Sequence, residues 1–229
     1  KYGQAFNGDI KAWRINNSDT LIKKVSDAIK DSKPYVKFGI SPFGIWGHEA
    51  NHPGIGSHTP ITSSASFDDI YADTRKWVKE EWIDYITPQI YWAFGTVAAP
   101  YAELVDWWSE VVRDTNTHLY IGHANYKHND AYWDVDWTNP EEIPNQLKFN
   151  TLYTEVKGSS FFSLRQLKPE TLAISGTPAQ VIEKKALITK VRDTIRDEYY
   201  NNIALVPTMP WLDNKAPDAV VGINTKKLD

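Results

Sequence analysis

The chain has 229 residues, of which 41% are hydrophobic and 24% are charged, a composition typical of one large or two small soluble globular domains. Its formal net charge is -4 and it has no basic block, so nucleic acid is not favoured as a partner. The lack of cysteine excludes disulfides, thiolate catalysis and zinc–thiolate sites. No apolar run approaches the roughly 20 residues needed to span a bilayer. The 10 Trp and 12 Tyr offer ring faces that can stack on sugars and polar atoms that can bond hydroxyl groups.

The first part of the chain predicts a helix followed by a buried strand. Residues 1–15 show no clear periodicity, and Asn17–Asp19 is a typical helix start. Apolar residues at helical spacing follow, and they predict one buried helix face made of Leu21, Ile22, Val25, Ala28 and Ile29. Pro34 ends this helix, and residues 36–40 alternate as a short buried strand does.

The strand at 36–40 leads into a loop that could form the floor and rim of a pocket. It breaks at Ser41–Pro42, and the loop then carries Phe43 and Trp46. These two rings are predicted to be either pocket residues or simply core. The following stretch, 47–66, is rich in Gly, Pro, Ser, Thr and His and is long enough to be functional.

The rest of the chain alternates helical and extended patterns. Helices are predicted at 67–78, 100–112, 140–147 and 179–200, and strands at 82–92, 118–124 and 158–163. The buried side of the first of these helices is predicted to be Ile70, Tyr71, Trp77 and Val78. Residues 205–229 are expected to be an extended tail or a linker to a further module, which leaves residues 1–204 as the main domain.

The alternation of strands and helices predicts an α/β fold with four βα units and a parallel sheet, the later half of a TIM-type (β/α)8 barrel. An open doubly wound sheet fits the same rhythm, but the sequence has no Gly-rich phosphate loop. Barrel enzymes carry their chemistry at the carboxyl ends of the strands. The residues predicted to bind substrate there are Phe43, Trp46, Gln89, Tyr91, Trp92, His123, Asn125 and Tyr126. This polar and aromatic set suits a carbohydrate, and no cofactor is expected.

For Tyr91, Trp92 and His123 the sequence leaves a packing role as the alternative. Tyr91 and Trp92 point to opposite sides of their strand, so one of them is expected to be packing. His123, at a strand end, is either a hydrogen-bonded core residue or a contact to a sugar hydroxyl group.

Glycosidases usually need two carboxyl groups that flank the scissile bond, and the four strand ends offer none. Asp84 lies at the start of its strand, on the face expected to be structural. Asp68, Asp69 and Asp73 open a helix, where capping and the helix dipole explain acidic residues. Glu49 and the acidic residues of 130–136 lie in loops after strands, and Glu49 is the weak catalytic candidate.

A competing prediction comes from residues 48–52, which match H-E-x-x-H. In zinc proteases two His residues one helical turn apart bind the metal and the Glu is the general base. Here the ligands would be His48, His52 and His58, with Glu49 as the base. That chemistry requires a helix, whereas the motif is surrounded by Pro and Gly without an apolar helical stripe. The sequence therefore predicts that this stretch does not bind a metal, with the His48, His52 and His58 site kept as a weak alternative.

Five blocks of sequence resemble the glycosyl hydrolase-like 10 family. They are FGISPFGIW at 38–46, YADTRKWVKEEWIDYITPQIYW at 71–92, LYIGHANYK at 119–127, KGSSFFSLRQL at 157–167 and ALVPTMPWLD at 204–213. The resemblance implies a TIM-type barrel, glycan hydrolysis on peptidoglycan or another polysaccharide, and a secreted or cell-envelope location. It also implies that the first half of the barrel, with the catalytic carboxylates, is missing from this chain.

The resemblance leaves open what covers the edge strands of the sheet and whether the protein is an enzyme. Half a barrel would expose its edge strands, and a missing amino-terminal barrel half, a second copy of the chain or a different closure of the sheet is expected to cover them. The alternative function is a non-catalytic glycan-binding protein, for which aromatic and amide side chains would suffice.

Overall fold

A computed structural model describes residues 6–128 and 132–213. Its helices are α1 (Ile10–Ser32), α2 (Ser66–Asp69), α3 (Thr74–Lys79), α4 (Tyr101–Val112), α5 (Glu142–Asn150) and α6 (Pro178–Thr194). Its strands are β1 (Gly39–Ile40), β2 (Tyr85–Ile86), β3 (His118–His123) and β4 (Val156–Phe161). In the part of the chain that is described, no helix is both long enough and apolar enough to cross a membrane.

The four strands form one parallel sheet in the order β1-β2-β3-β4, with helical segments between successive strands. This α/β arrangement confirms the predicted fold class, which is that of the later half of a TIM-type barrel. Because the strands are parallel, their carboxyl ends lie along one edge of the sheet, and the loops that follow them meet there.

Two of the predicted strands are shorter than expected. The stretches 36–40 and 82–92 each contribute only two residues to the sheet. Pro42 and Pro88 have no N–H to donate to a neighbouring strand, which interrupts the ladder at both places. Pairing resumes beyond them at isolated bridges, where Gln89 pairs with Phe43 and Gly122.

The main core lies between β3 and α4. The predicted apolar stripe of α4 is confirmed, since it comprises the buried residues Tyr101, Leu104, Val105, Trp108, Val111 and Val112. Leu119 and Ile121 of β3 belong to the same cluster as this helix. Side chains alternate along a strand, so Tyr120 points to the other face of the sheet, where its ring meets Tyr85 at 5.8 Å.

The prediction for α1 was wrong in its start, and its buried face holds only in part, since Ile22 packs against the main core. The helix begins at Ile10, because the Asp9 side chain caps it by accepting the N–H of Ala12. Asp19 is buried instead of Leu21, which is 62% exposed. Trp77 Nε1 and Lys76 Nζ donate to the Asp19 carboxylate over 2.6 and 2.7 Å, and these bonds turn the polar side of α1 inward.

The predicted helix at 67–78 is two short helices, α2 and α3. They are separated at Tyr71, which has a φ of 58°, a left-handed conformation that no helix can continue through. Trp77 and Val78 are buried as predicted, whereas Ile70 is 59% exposed. The predicted buried face therefore holds only for its second half.

The segment before residue 214 returns to the amino-terminal edge of the sheet. Met209 is buried, and Trp211 Nε1 donates to Asp84 Oδ1 over 3.0 Å. Asp84 Oδ2 also accepts the N–H of Phe38, so this carboxylate is structural, as predicted. The division between residues 204 and 205 stays a prediction, and residues 214–229 lie outside the described residues.

Candidate functional site

Four aromatic side chains meet at the carboxyl ends of β2, β3 and β4, and we call Tyr91, Tyr126, Trp133 and Phe162 the aromatic platform. The rings of Tyr91 and Phe162 are stacked with centroids 6.2 Å apart, and Tyr126 lies edge-on to both. Trp133 extends the platform from Tyr126 at 5.5 Å. Phe162 is 59% exposed and Trp133 is 46% exposed, so the platform presents ring faces to solvent.

Local backbone bonds and Lys127 hold the platform together. The N–H of Tyr126 donates to the carbonyl of Phe162, which links the ends of β3 and β4. Lys127 Nζ donates to the carbonyl of Tyr91 over 2.7 Å, which links the ends of β3 and β2. The same ammonium lies 4.9 Å from the centre of the Trp133 ring, a cation–π contact.

Burial shifts the pKa values of the two tyrosines of the platform and of Lys127. It raises the pKa of Tyr91 and of Tyr126, so both phenols keep their protons and remain donors at neutral pH. Burial also lowers the pKa of Lys127, which Asp134 partly opposes. The platform therefore offers neutral hydroxyl groups beside ring faces, which is the chemistry of sugar recognition.

The predicted residues of β1 and β2 form the neighbouring part of the edge. Gln89 Nε2 donates to the carbonyl of Ser41 over 3.0 Å, and Phe43 packs edge-on against Trp92 at 5.3 Å. Tyr91 and Trp92 contribute to different hydrophobic clusters, as expected for neighbours on a strand. Trp92 is the packing residue of the pair, and Tyr91 belongs to the platform.

Trp46 does not join this edge, contrary to the prediction. It is 3% exposed, and its ring packs against Phe67 and Trp107 in the main core. Its Nε1 donates to Asp73 Oδ1 over 3.0 Å. The large ring has no free face for a ligand because helix and loop residues cover it, so the core alternative holds for Trp46.

His123 is likewise a core residue in the structure. It is fully buried, with its ring stacked on Phe161 at 5.2 Å. Gln146 Nε2 donates to the carbonyl of Trp92 and to Glu142 Oε1, which identifies the amide nitrogen of this side chain. Gln146 Oε1 therefore accepts the Nδ1–H of His123, and His123 Nε2 accepts the hydroxyl of Ser159. Burial lowers the pKa of His123 to about 4. The ring is a neutral link between β3, β4 and α5 and does not reach the platform.

Asn125 lies two residues after the end of β3 and is 4% exposed. It borders a cavity next to the platform, together with Tyr126. Of the eight predicted substrate-binding residues, the structure brings Tyr91, Tyr126 and Asn125 together here, and it places Phe43, Gln89 and Trp92 alongside.

Glu49 and Asp134 of the loops, and Glu142 of α5, have structural partners. Glu49 Oε1 accepts the N–H of Gly54 within its own loop, and Glu49 lines a cavity with residues of α3 and α4 rather than with the platform. Asp134 Oδ2 accepts the hydroxyl of Thr96 over 3.2 Å. Glu142, which the sequence did not single out, accepts the N–H of Phe94 over 3.1 Å, and burial raises its pKa. Asp130 of the predicted loop lies outside the described residues.

The H-E-x-x-H stretch is a turn, and its histidines have separate partners. His48 Nδ1 lies 2.8 Å from Thr59 Oγ1 and Nε2 lies 2.9 Å from the carbonyl of Ser63, while His52 Nε2 lies 2.9 Å from Asp68 Oδ2. Over residues 6–128 and 132–213, no group of three or more His, Asp or Glu side chains is arranged to hold a metal ion. The zinc-protease alternative with His48, His52 and His58 therefore lacks its ligand geometry.

A parallel α/β sheet with aromatic and amide side chains at its carboxyl edge is the arrangement expected of a TIM-type barrel enzyme at the strand ends where such enzymes carry their sites. The sequence profile described as "Glycosyl hydrolase-like 10" matches residues 2–139. The chain belongs to the glycosyl hydrolase-like 10 family, and this membership supports a glycosidase-like function.

Two curated relatives show the extent of the similarity. "Glycosyl hydrolase YngK" of Bacillus subtilis is 44% identical over 217 residues, which are 95% of this chain and 39% of the relative. "Glycosyl hydrolase DigH" of Escherichia coli K12 is 44% identical over 176 residues, which are 75% of this chain and 39% of the relative. The chain thus spans about two fifths of the length of these relatives.

Proposed function

We propose that this chain forms one wall of the glycan-binding cleft of a glycoside hydrolase that acts on peptidoglycan strands or another bacterial envelope polysaccharide. The observation that carries the proposal is the aromatic platform at the carboxyl ends of β2, β3 and β4. A sugar ring presents an apolar C–H face and a rim of hydroxyl groups. The exposed faces of Phe162 and Trp133 match the first, and the phenols of Tyr91 and Tyr126 match the second.

We infer that the catalytic carboxylates lie in the part of the natural protein that precedes this chain. Glu49 accepts the N–H of Gly54 in its own loop, Asp134 accepts the hydroxyl of Thr96, and the buried Glu142 accepts the N–H of Phe94. The relatives also extend well beyond the matched region, since it covers 39% of their length. The proposal therefore assigns binding to this chain and bond cleavage to residues outside it.

A secreted or envelope location is part of the same proposal, because a glycan strand of the envelope would have to be reached there. Fractionation of the source cells tests it directly. Recovery of the protein only with cytoplasmic markers would contradict this location without affecting the sugar chemistry.

The proposal is tested by removing an exposed platform ring from the natural protein. Phe162→Ala is expected to lower kcat/KM for glycan strands by about tenfold, mainly through a higher KM, because a stacking surface is lost. Tyr35→Ala is the matched control, since Tyr35 is 65% exposed but precedes β1 at the opposite edge of the sheet. Equal kinetics for Phe162→Ala and Tyr35→Ala would remove the platform from the site.

The same experiment separates hydrolysis from binding alone. Release of reducing ends from purified glycan strands reports cleavage, and sedimentation with the strands reports binding. If the natural protein sediments with the strands and releases no reducing ends, the hydrolase proposal fails and a non-catalytic glycan-binding protein takes its place.

A further inference from the structure

One flank of α1 carries apolar side chains that are largely exposed. They recur at helical spacing and continue just after the helix, and we call them the α1 stripe: Leu21, Val25, Ala28, Ile29 and Val36. Leu21 is 62% exposed, and Val25 and Val36 are each 36% exposed. Val25, Ala28, Ile29 and Val36 line a groove of about 300 Å³ together with Ser32 and Lys33.

The α1 stripe is not the side of the helix that packs on the rest of the fold. That side holds Asp19 and Ser26, which are buried, and Ile22, which packs against the main core. With 3.6 residues per turn, the stripe lies about a third of a turn away from it. The other flank of the helix is polar, since Lys23 pairs there with Asp27. The helix therefore has a second apolar surface, on one flank only, whose burial would be favourable.

A second exposed apolar surface lies on the extended segment after α6. Three of its side chains are almost entirely open to solvent, namely Ile203 at 99%, Leu205 at 92% and Val206 at 70%. The carbonyl of the next residue, Pro207, accepts Lys37 Nζ over 3.5 Å, and Lys37 follows Val36 of the α1 stripe. The two apolar surfaces thus meet beside the start of β1. Exposed apolar surface of this extent is rare on monomeric proteins and marks interaction sites.

The place of α1 in the fold indicates what covers this surface. Within residues 6–128 and 132–213, β1 pairs with β2 and with no other strand, and α1 leads directly into β1. In a barrel, a helix between two parallel strands packs against both of them. One side of α1 is already packed on this chain, so the α1 stripe is left for elements on the far side of β1. The relatives are long enough to supply them, because the matched region covers 39% of their length.

We propose that the α1 stripe and residues 203–206 form the docking surface for the part of the natural protein that precedes this chain. A strand of that part pairs with the free edge of β1, and its apolar side chains fill the groove beside Val25. This interface shares with the proposed function only the inference that the natural protein continues before residue 1, and no contact with glycan enters it.

The first test measures whether Leu21 is covered in the natural protein. This chain has no cysteine, so Leu21→Cys and Leu152→Cys each introduce one thiol into it, whose reaction with a maleimide is followed by mass spectrometry of its peptide. Leu152 is the matched control, since it is 73% exposed and lies between α5 and β4. Leu21→Cys should react about 100-fold more slowly than Leu152→Cys, because its reaction requires local opening, and equally fast in urea.

Two outcomes of this test would overturn the proposal. Equal rates in the folded protein would show that the α1 stripe is open to solvent. A slow rate for Leu21→Cys that rises on dilution of the protein would show that a second copy covers the stripe. If Leu21→Cys fails to fold, Val25→Cys, which removes fewer atoms, repeats the test with the same expected protection.

The melting temperature of the natural protein gives a second readout. Leu21→Gln and Leu205→Gln should each lower it by about 3–5 °C, although both leucines are exposed in this chain, because each would lose apolar contacts to the docked part. Leu152→Gln, as an ordinary surface substitution, should change it by no more than about 1 °C. If Leu21→Gln or Leu205→Gln melts at the same temperature as Leu152→Gln, the proposal is contradicted.

These results also separate the interface from the proposed function. Slow labelling of Leu21→Cys, without release of reducing ends from glycan strands, would support the interface and reject the hydrolase. Release of reducing ends together with fast labelling would do the reverse.

Discussion

Lys127 is the residue whose replacement tests most sharply how the platform is held. Lys127→Met keeps the apolar stem and removes the ammonium group. It deletes the 2.7 Å bond to the carbonyl of Tyr91 and the contact with Trp133. A hydrogen bond to a charged group contributes about 1.5–3 kcal/mol, and a cation–π contact about 0.5–1 kcal/mol. Release of the ammonium from its partly buried position offsets some of this, so we expect a net loss of about 2 kcal/mol in unfolding free energy.

The assay is urea unfolding of the natural protein, followed by tryptophan fluorescence, together with glycan binding. Because the positions of Tyr91 and Trp133 are less fixed in Lys127→Met, binding should weaken by about two- to tenfold. Lys11→Met is the matched control. Lys11 also makes a 2.7 Å bond, to Asp68, and lies 5.2 Å from the Phe67 ring, but its side chain is 46% exposed and far along the chain from the platform.

An exposed ion pair of this kind contributes about 0–1 kcal/mol, so Lys11→Met should change stability little and glycan binding not at all. If the two methionine variants lose equal stability and bind glycan equally well, Lys127 does not organise the platform and the reasoning is refuted.

Three further predictions concern the supports of the sheet. In the folded protein the pKa of His123 is about 4, whereas in the unfolded chain it is near 6.5, so the unfolded state binds this proton first as the pH falls. The unfolding free energy is therefore unaffected by this group above pH 6.5 and decreases by about 3 kcal/mol as the pH falls to about 4. In urea unfolding, His123→Phe should lose less stability over this pH range than the parent, and an equal loss would show that His123 is not the cause. Trp211→Phe removes the N–H bonded to Asp84 and should cost about 2 kcal/mol in unfolding free energy, whereas unchanged stability would show that this bond contributes nothing. Gly44→Ala would place a Cβ 2.5 Å from the carbonyl oxygen of Gln89, so it should lower stability by about 1–3 kcal/mol, and a melting temperature equal to that of the parent would count against the packing described.

The sequence predicted the α/β class because its strand and helix patterns are local and strong. The apolar stripe of α4 is continuous, and the pattern at 118–124 gave β3 almost residue by residue. The face of α1 was not predictable in this way. Its orientation depends on the bonds from Lys76 and Trp77 to Asp19, more than 50 residues away in the chain.

The candidate site was predictable in part. The strand ends predict Tyr91 and Tyr126. His123 has the same parity along β3 as Leu119 and Ile121, so alternation along the strand favours the core alternative for it. The same alternation along β4 places Phe161 and Phe162 on opposite faces of the sheet, and it thus predicts that Phe162 lies on the face away from His123.

Other parts of the site had no local signal. Trp133 follows β3 by ten residues, and only the folded loop brings its ring onto Tyr126.

The central claim is that this chain binds the glycan while the bond is cleaved by carboxylates outside it. The most direct test is kcat for glycan strands in the natural protein after neutralising the candidate loop carboxylates one at a time, in Glu49→Gln, Asp130→Asn, Asp134→Asn and Asp136→Asn. The account predicts that each variant keeps kcat within a few-fold of the parent value. A loss of about 10³-fold or more in any one of them, with the fold intact, would place a catalytic acid in this chain and contradict the claim.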